Sequence, residues 1–403
     1  MAERTTVGAA VRRARLAKGW PLDRTTAEMA RMVPTVIHGR SWLSKIERGD
    51  LALTKRDDID ALALALDISP VDLLGIRAAP LTDGPGAEHD AVPRLRRALL
   101  DRPPPASRPI EQLRHDVMTL AEMDLRAEPA PAAHVASGLI AQLRGSAGGR
   151  DHREIMRLSV ITAHHARGSL NAAGHYDLAL HVADWADRCA PEADDPTITG
   201  LAAVSRSYGM AKVGVGAYAA ALDVATKAAD QLADSGGPET AAALAHLHLA
   251  AAFAASVLHD HDSAAARLDE AAAITGRLGD ESTMMRRHLY TSETNVLLHR
   301  VAVAVEAGQP ELAVRHSAGL RVEMILVPER AASWLGDLGR AYATLGQLEP
   351  GIDAMLAAER LADLMTRRHP LLQAAVEGML RRPGPDRVAR KVRGLAYRMG
   401  IPH

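Results

Sequence analysis

The residues best suited to chemistry lie in Arg40-Ser41-Trp42-Leu43-Ser44-Lys45-Ile46-Glu47-Arg48-Gly49. Leu43 and Ile46, three apart, give this segment one apolar helical face, while Arg40, Ser41, Ser44 and Lys45 project from the other. Gly49 follows as a C-terminal stop signal. A short amphipathic helix offering Arg, Ser and Lys to solvent suits the major groove of DNA, where Arg and Lys read guanine edges.

Other elements must position that helix. Val7, Val11 and Leu16 place an apolar stripe on a first helix ringed by Arg12, Arg13, Arg15 and Lys18, and Gly19 ends it. A second helix is expected over 24–32 with Ala27, Met29 and Ala30 inward, followed by a turn through Pro34 and Gly39. Residues 55–66 make a fourth helix with Ile59, Leu62, Ala63 and Leu66 on one face. Ser69 caps a fifth, with Pro70 at its first position.

This five-helix unit, residues 1–76, resembles the Cro/repressor-like (XRE) helix-turn-helix family. The likeness is carried by Ser44-Lys45-Ile46-Glu47-Arg48-Gly49 and by the trailing Ala63-Leu64-Ala65-Leu66-Asp67-Ile68-Ser69. It implies that Glu47 pairs with Arg12 of the first helix. It also implies that Arg40, Ser41 and Lys45 face bases, with Ser44 and Arg48 nearer phosphate. Trp42 either packs on the sugar-phosphate backbone or covers the turn between the second and third helices. Two features depart from the family. Its phosphate-holding Gln is missing from Trp20-Pro21-Leu22-Asp23-Arg24-Thr25-Thr26, and the interval from Ala30 to Leu43 is expanded.

Charge is segregated along the chain. The net charge is -1, yet residues 1–56 hold 12 Lys/Arg against 5 Asp/Glu, and residues 381–403 hold 7 against 1. The middle carries 29 against 43. A basic head on an acidic body fits a module that meets phosphate joined to one that stays off DNA. With 403 residues, a single Phe and 3% aromatics, the chain should form two or more domains of closely packed helices. The lone Cys189 excludes an intramolecular disulfide framework and is expected to be buried and inert. No signal peptide or long apolar run is evident, so a cytoplasmic protein without membrane association is expected.

Residues 77–109 read as a linker, marked by Asp83-Gly84-Pro85-Gly86 and Pro103-Pro104-Pro105, with a short docking helix over 92–100. Repeats then appear over 110–379. Gly174-His175-Tyr176-Asp177-Leu178-Ala179 recurs as Gly216-Ala217-Tyr218-Ala219-Ala220-Ala221. Looser copies start at His259, Gly308 and Gly346, giving spacings of 42, 43, 49 and 38. The pattern sets Gly at a helix-to-helix turn and Ala five residues later, where two helices cross closely. It resembles tetratricopeptide repeats, so the expected fold is all-α: a helix-turn-helix head followed by a right-handed repeat superhelix, with a basic capping helix over 380–403. In that cap, Arg387, Arg390, Lys391 and Arg393 either add a DNA contact or solvate the helix. The combination resembles the helix-turn-helix–tetratricopeptide regulators of actinobacteria and, in architecture, Gram-positive peptide-pheromone receptors.

A superhelix offers a concave wall made by the first helix of each repeat. Arg206, Tyr208, His246, His288, Asn295 and His299 occupy such positions and are the candidate ligand residues, although Asn295 equally suits a cap or a bridge between helices. His246 and His248 point to different faces and cannot chelate one ion, and His259-Asp260-His261-Asp262 reads as a polar turn. No nucleophile elbow, Walker loop or dinucleotide fingerprint occurs, so no enzyme, metal or cofactor is expected. The expected function is a homodimeric DNA-binding regulator with a peptide or small-molecule effector. The alternative is a DNA-anchored scaffold whose repeats recruit a protein.

Overall fold

Helix pairs separated by left-handed turns build the chain. A computed structural model describes residues 6–82, 90–105, 108–278 and 288–401, and it is all-α: 21 α-helices among the described residues, with no strand beyond an isolated Thr82–Asp90 bridge. The linker segment Asp83-Gly84-Pro85-Gly86 and the last two residues of the expected cap lie outside the described residues.

The first five helices are α1 (Val7–Ala17), α2 (Leu22–Met32), α3 (Arg40–Arg48), α4 (Arg56–Leu66) and α5 (Pro70–Leu74). Thr6 caps α1, and Ser69 caps α5 by accepting from the Asp72 amide. Gly49 ends α3 with φ 77°, in the left-handed region where a side chain is strained. Val11, Met29, Leu43, Ile46, Ile59 and Leu62 form the core between these helices. Full burial of each aliphatic side chain contributes about 1.5–3 kcal/mol. Two inward assignments fail: Leu16 is 56% exposed and Ala27 is exposed. The inward face of α1 is instead Gly8, Val11 and Arg15. Gly8 is needed there because a Cβ would lie 2.3 Å from the Ile46 carbonyl oxygen, so any side chain pushes α1 off α3.

After α6 (Ala91–Leu100), α7 (Ile110–Leu125) and α8 (Pro129–Ser146), five hairpins follow. They are α9 (His152–Ala172) with α10 (Tyr176–Ala193), α11 (Pro196–Met210) with α12 (Tyr218–Leu232), and α13 (Pro238–Val257) with α14 (His261–Leu278). Then come α15 (Glu293–Glu306) with α16 (Pro310–Ser317) and α17 (Pro328–Thr344) with α18 (Leu348–Leu361). Gly174, Gly216, His259, Gly308 and Gly346, the five repeat starts, all adopt left-handed backbone with φ between 62° and 84°. Five residues on, Ala179, Ala221, Ala264 and Ala313 are at most 1% exposed, and the fifth hairpin has Gly351 there, close to Gly339 of α17. α13 is long and apolar enough to cross a membrane, but 78% of that stretch is buried inside the protein as a core helix.

The chain ends with α19 (Asp363–Arg368), α20 (Pro370–Leu380) and α21 (Asp386–Met399). Val388, Val392, Leu395 and Met399 bury one face of α21. On the other face Arg387 pairs with Glu349, Lys391 with Asp353, and Arg398 with Glu359, all acidic residues of α18. Much of the basic charge of this helix is thus spent on the preceding hairpin.

Candidate functional site

Two sites emerge, the outer face of α3 and an interior cavity, and they are joined through α4. On α3, Arg40, Ser41, Lys45 and Arg48 are exposed, whereas Leu43 and Ile46 are buried. Arg48 donates to Ser44 Oγ at 2.8 Å and to Asp50 at 2.7 Å, so Ser44 and Arg48 already hold each other. An exposed pair of this kind is worth at most about 1 kcal/mol and exchanges readily for a stronger anion. Trp42 stacks on His38 with ring centroids 3.9 Å apart and planes 3° apart, so it covers the turn between α2 and α3. His38 in turn contacts Asp58 of α4 at 2.6 Å.

The Glu47 partner is Arg15, not Arg12. Arg15 Nη2 donates to Glu47 Oε2 at 2.9 Å and its Nε to Oε1 at 2.5 Å, while Nη1 donates to the Trp20 carbonyl at 2.7 Å. Arg12 is exposed. The physical reason is helical phase: Arg15 falls on the Gly8–Val11 side of α1, which faces α3, and Arg12 does not.

The interior cavity has a volume of about 190 Å³. Its walls come mainly from the first helix of each hairpin: Arg167 and Asn171 from α9, Tyr208 from α11, Phe253 from α13, His299 and Glu306 from α15, and Glu329, Arg330 and Asp337 from α17. Lys212, Asp124 and Tyr290 add to it, as does Arg56 from α4. A larger seam of about 610 Å³ lies between residues 50–55 and the ends of the later hairpins. Arg340, which lines that seam, is already ion-paired.

Tyr208 and His299 are brought together at the cavity. His299 Nδ1 donates to the Asn295 carbonyl at 2.8 Å, so its Nε2 accepts from Tyr208 OH at 2.9 Å. Burial and nearby Arg330 push the His299 imidazole down to about 4, which keeps this tautomer neutral. His246 packs edge-on to both rings, each 5.7 Å away, in the layer behind. Asn295 is 3% exposed and does not line the cavity, and neither side-chain amide atom has a partner among the described residues. His288 is also buried behind the wall, 2.9 Å from His165, which donates its Nδ1 hydrogen to Asp124. Arg206 points elsewhere: it pairs with Asp187 and Asp184 of α10. Cys189 is buried, and burial pushes its thiol up to about 11, which keeps it unreactive.

Sequence periodicity missed Arg56, Arg167, Lys212, Glu306 and Arg330. Their signal was weak, since charged residues on a helix ordinarily read as a solvated face. Arg56 Nε lies 3.0 Å from Glu306 Oε2, and Arg340 Nη1 donates to Glu306 Oε1 at 2.7 Å. The Glu306 side chain is 3% exposed. α4 also meets the hairpin turns: Asp57 accepts from His259 at 2.8 Å, and a Cβ on left-handed Gly216 would lie 2.7 Å from Asp60 Oδ1. Val213 and Leu371 extend the apolar core of α1–α5 into the body.

Burial pushes the Asp60 carboxyl from 3.8 up to about 7, only partly offset by Arg56. The folded state therefore binds this proton more tightly than the unfolded chain. The associated stability is complete below about pH 4 and is lost as pH rises through 7. Asp60→Asn is thus expected to raise stability above pH 7.5 by on the order of 1–3 kcal/mol and to change little at pH 4. Denaturant melts at the two pH values measure the difference, and an equal effect at both would contradict it.

No protein-family model, curated protein or solved structure matches the chain.

Proposed function

We propose that this chain is a sequence-specific DNA-binding transcription regulator of the XRE type. In this reading residues 1–76 form the helix-turn-helix head and the hairpins form a tetratricopeptide-like right-handed superhelix. The body dimerises and takes an effector. The observation that carries the reading is the pair of faces on α3: Leu43 and Ile46 lock it to α1 and α4, while Arg40, Ser41 and Lys45 stand free for base edges. The five left-handed turns, recurring every 38 to 49 residues, support the superhelix. A homodimer follows from affinity, because one small head makes too few contacts alone, and two heads read a two-fold operator. The cavity volume, on the order of six waters at about 30 Å³ each, favours a small-molecule effector over a peptide.

The test is recovery of genomic fragments bound by the purified full-length protein at near-physiological salt. A shared inverted repeat is expected. Each base contact is worth about 1–3 kcal/mol, so Arg40→Ala combined with Lys45→Ala should weaken binding to that operator by at least roughly 30-fold. Unchanged affinity overturns the base-reading assignment. Binding without a motif, lost steeply as salt rises, overturns sequence-specific regulation.

A further inference from the structure

The cavity wall holds four Lys/Arg and four Asp/Glu side chains, but three of the cations have no directly bonded partner. Arg167, Lys212 and Arg330 all line it, and among the described residues none of the three side chains makes an ion pair or a hydrogen bond. Arg330 instead lies over the Tyr290 ring, 5.3 Å from its centroid. Of the nearby acids, Asp124 is already engaged by His165 at 2.7 Å and by Tyr290 OH at 3.2 Å. Glu306 and Asp337 belong to the Arg56–Arg340 network. Glu329, with Asp124 nearby, faces these three cations. Its carboxyl is held up by burial and by Asp124, which lowers the negative charge it offers. Lys212 is pushed down to about 8, by burial first and then by Arg167, so it is still mostly charged at pH 7. Three cationic side chains without a hydrogen-bonded anion are costly in a low-dielectric interior. Neutral hydrogen-bonding groups share the same wall: both amide atoms of Asn171 and Nδ1 of His369 have no partner among the described residues.

We propose that this cavity binds a small oxyanion, a molecule bearing a carboxylate or phosphate group, gripped by Arg167, Lys212 and Arg330. The proposal rests on the effector part of the reading above and gives that effector its chemistry. The grip is electrostatic and directional, since guanidinium groups match carboxylate and phosphate oxygens in pairs. Arg56 of α4 lines the same cavity, and its Nη1 has no hydrogen-bond partner among the described residues. A bound anion that takes this Nη1 touches α4 beside the Glu306 pair and so reports its presence to the head directly.

Thermal unfolding of the full-length protein tests this with inorganic phosphate, citrate and glutarate at millimolar concentration. Sodium chloride at matched ionic strength and glycerol are the controls. A binding anion well above its Kd should raise Tm by about 2 °C or more, beyond the salt control. A shift with phosphate alone assigns a phosphorylated ligand, and a shift with citrate or glutarate alone assigns a carboxylate. Lys212→Met and Arg167→Gln should each abolish the shift while leaving the unliganded Tm equal or higher, because each removes a cation that has no directly bonded partner among the described residues; far-UV circular dichroism confirms folding. No shift with any anion, or one that survives both substitutions, overturns the proposal. Gel shifts on the recovered operator keep the two readings apart. Operator binding with no anion effect sinks only the oxyanion site, whereas an anion shift without operator binding sinks only the regulator.

Discussion

Glu306→Ala is expected to be the most damaging single substitution in the body. It strands the buried Arg56 guanidinium, 7% exposed, and leaves Arg340, 8% exposed, with Asp337 alone, where both now share one carboxylate at 3%. Breaking a buried pair by removing one partner typically costs about 3–5 kcal/mol, because the remaining charge is uncompensated. Glu306→Gln should cost less, since it retains the volume and one acceptor oxygen. Urea denaturation of the three proteins measures the order, and an Ala variant within about 1 kcal/mol of the parent would show that the network is not stabilising. The pH dependence has a definite sign. Burial pushes the Glu306 carboxyl up, but Arg340 and Arg56 outweigh it and hold the group below its ordinary value. The folded state thus binds this proton less tightly than the unfolded chain. The stabilisation is complete above the ordinary carboxyl range and fades as pH falls below it, so the parent and Glu306→Gln should converge in acid.

The second large effect belongs to the head. Glu47→Ala removes the bidentate partner of Arg15, with side chains 8% and 11% exposed, and about 3–5 kcal/mol is expected from the same logic. Arg15 keeps its bond to the Trp20 carbonyl, which places the loss at the lower end of that range. α3 is then anchored to α1 only by the contacts around Gly8, Leu43 and Ile46, so in the regulator proposed above operator affinity should fall together with stability. The specific comparison is Arg12→Ala, an exposed residue for which a change within about 0.5 kcal/mol is expected. A double-mutant cycle between Arg15 and Glu47 should show strong coupling, and one between Arg12 and Glu47 should show none. Coupling at Arg12 would mean that α1 is rotated from the orientation described.

Much of the local architecture was legible without coordinates. Apolar spacing at Leu43 and Ile46 together with Gly49 placed α3, and Ser69-Pro70 placed the start of α5, because caps and helical periodicity are local properties of the chain. The five repeat starts were legible for the same reason: a left-handed turn calls for Gly at nearly every copy, with His259 the exception. Tyr208 and His299 were chosen from their positions on first helices of the hairpins, and they do meet at the cavity. What sequence could not decide was which charged residues turn inward. Arg15 and Arg12 differ by three positions, and only the packing of α1 on α3 chooses between them. Arg206 looked like a groove residue but finds two aspartates on α10, whereas Arg167, Lys212 and Arg330 look like surface charges and line the cavity. Local sequence determines helix, turn and cap; the burial of a long charged side chain depends on partners 100 or more positions away, as with Arg56 and Glu306, and tertiary structure alone brings those together.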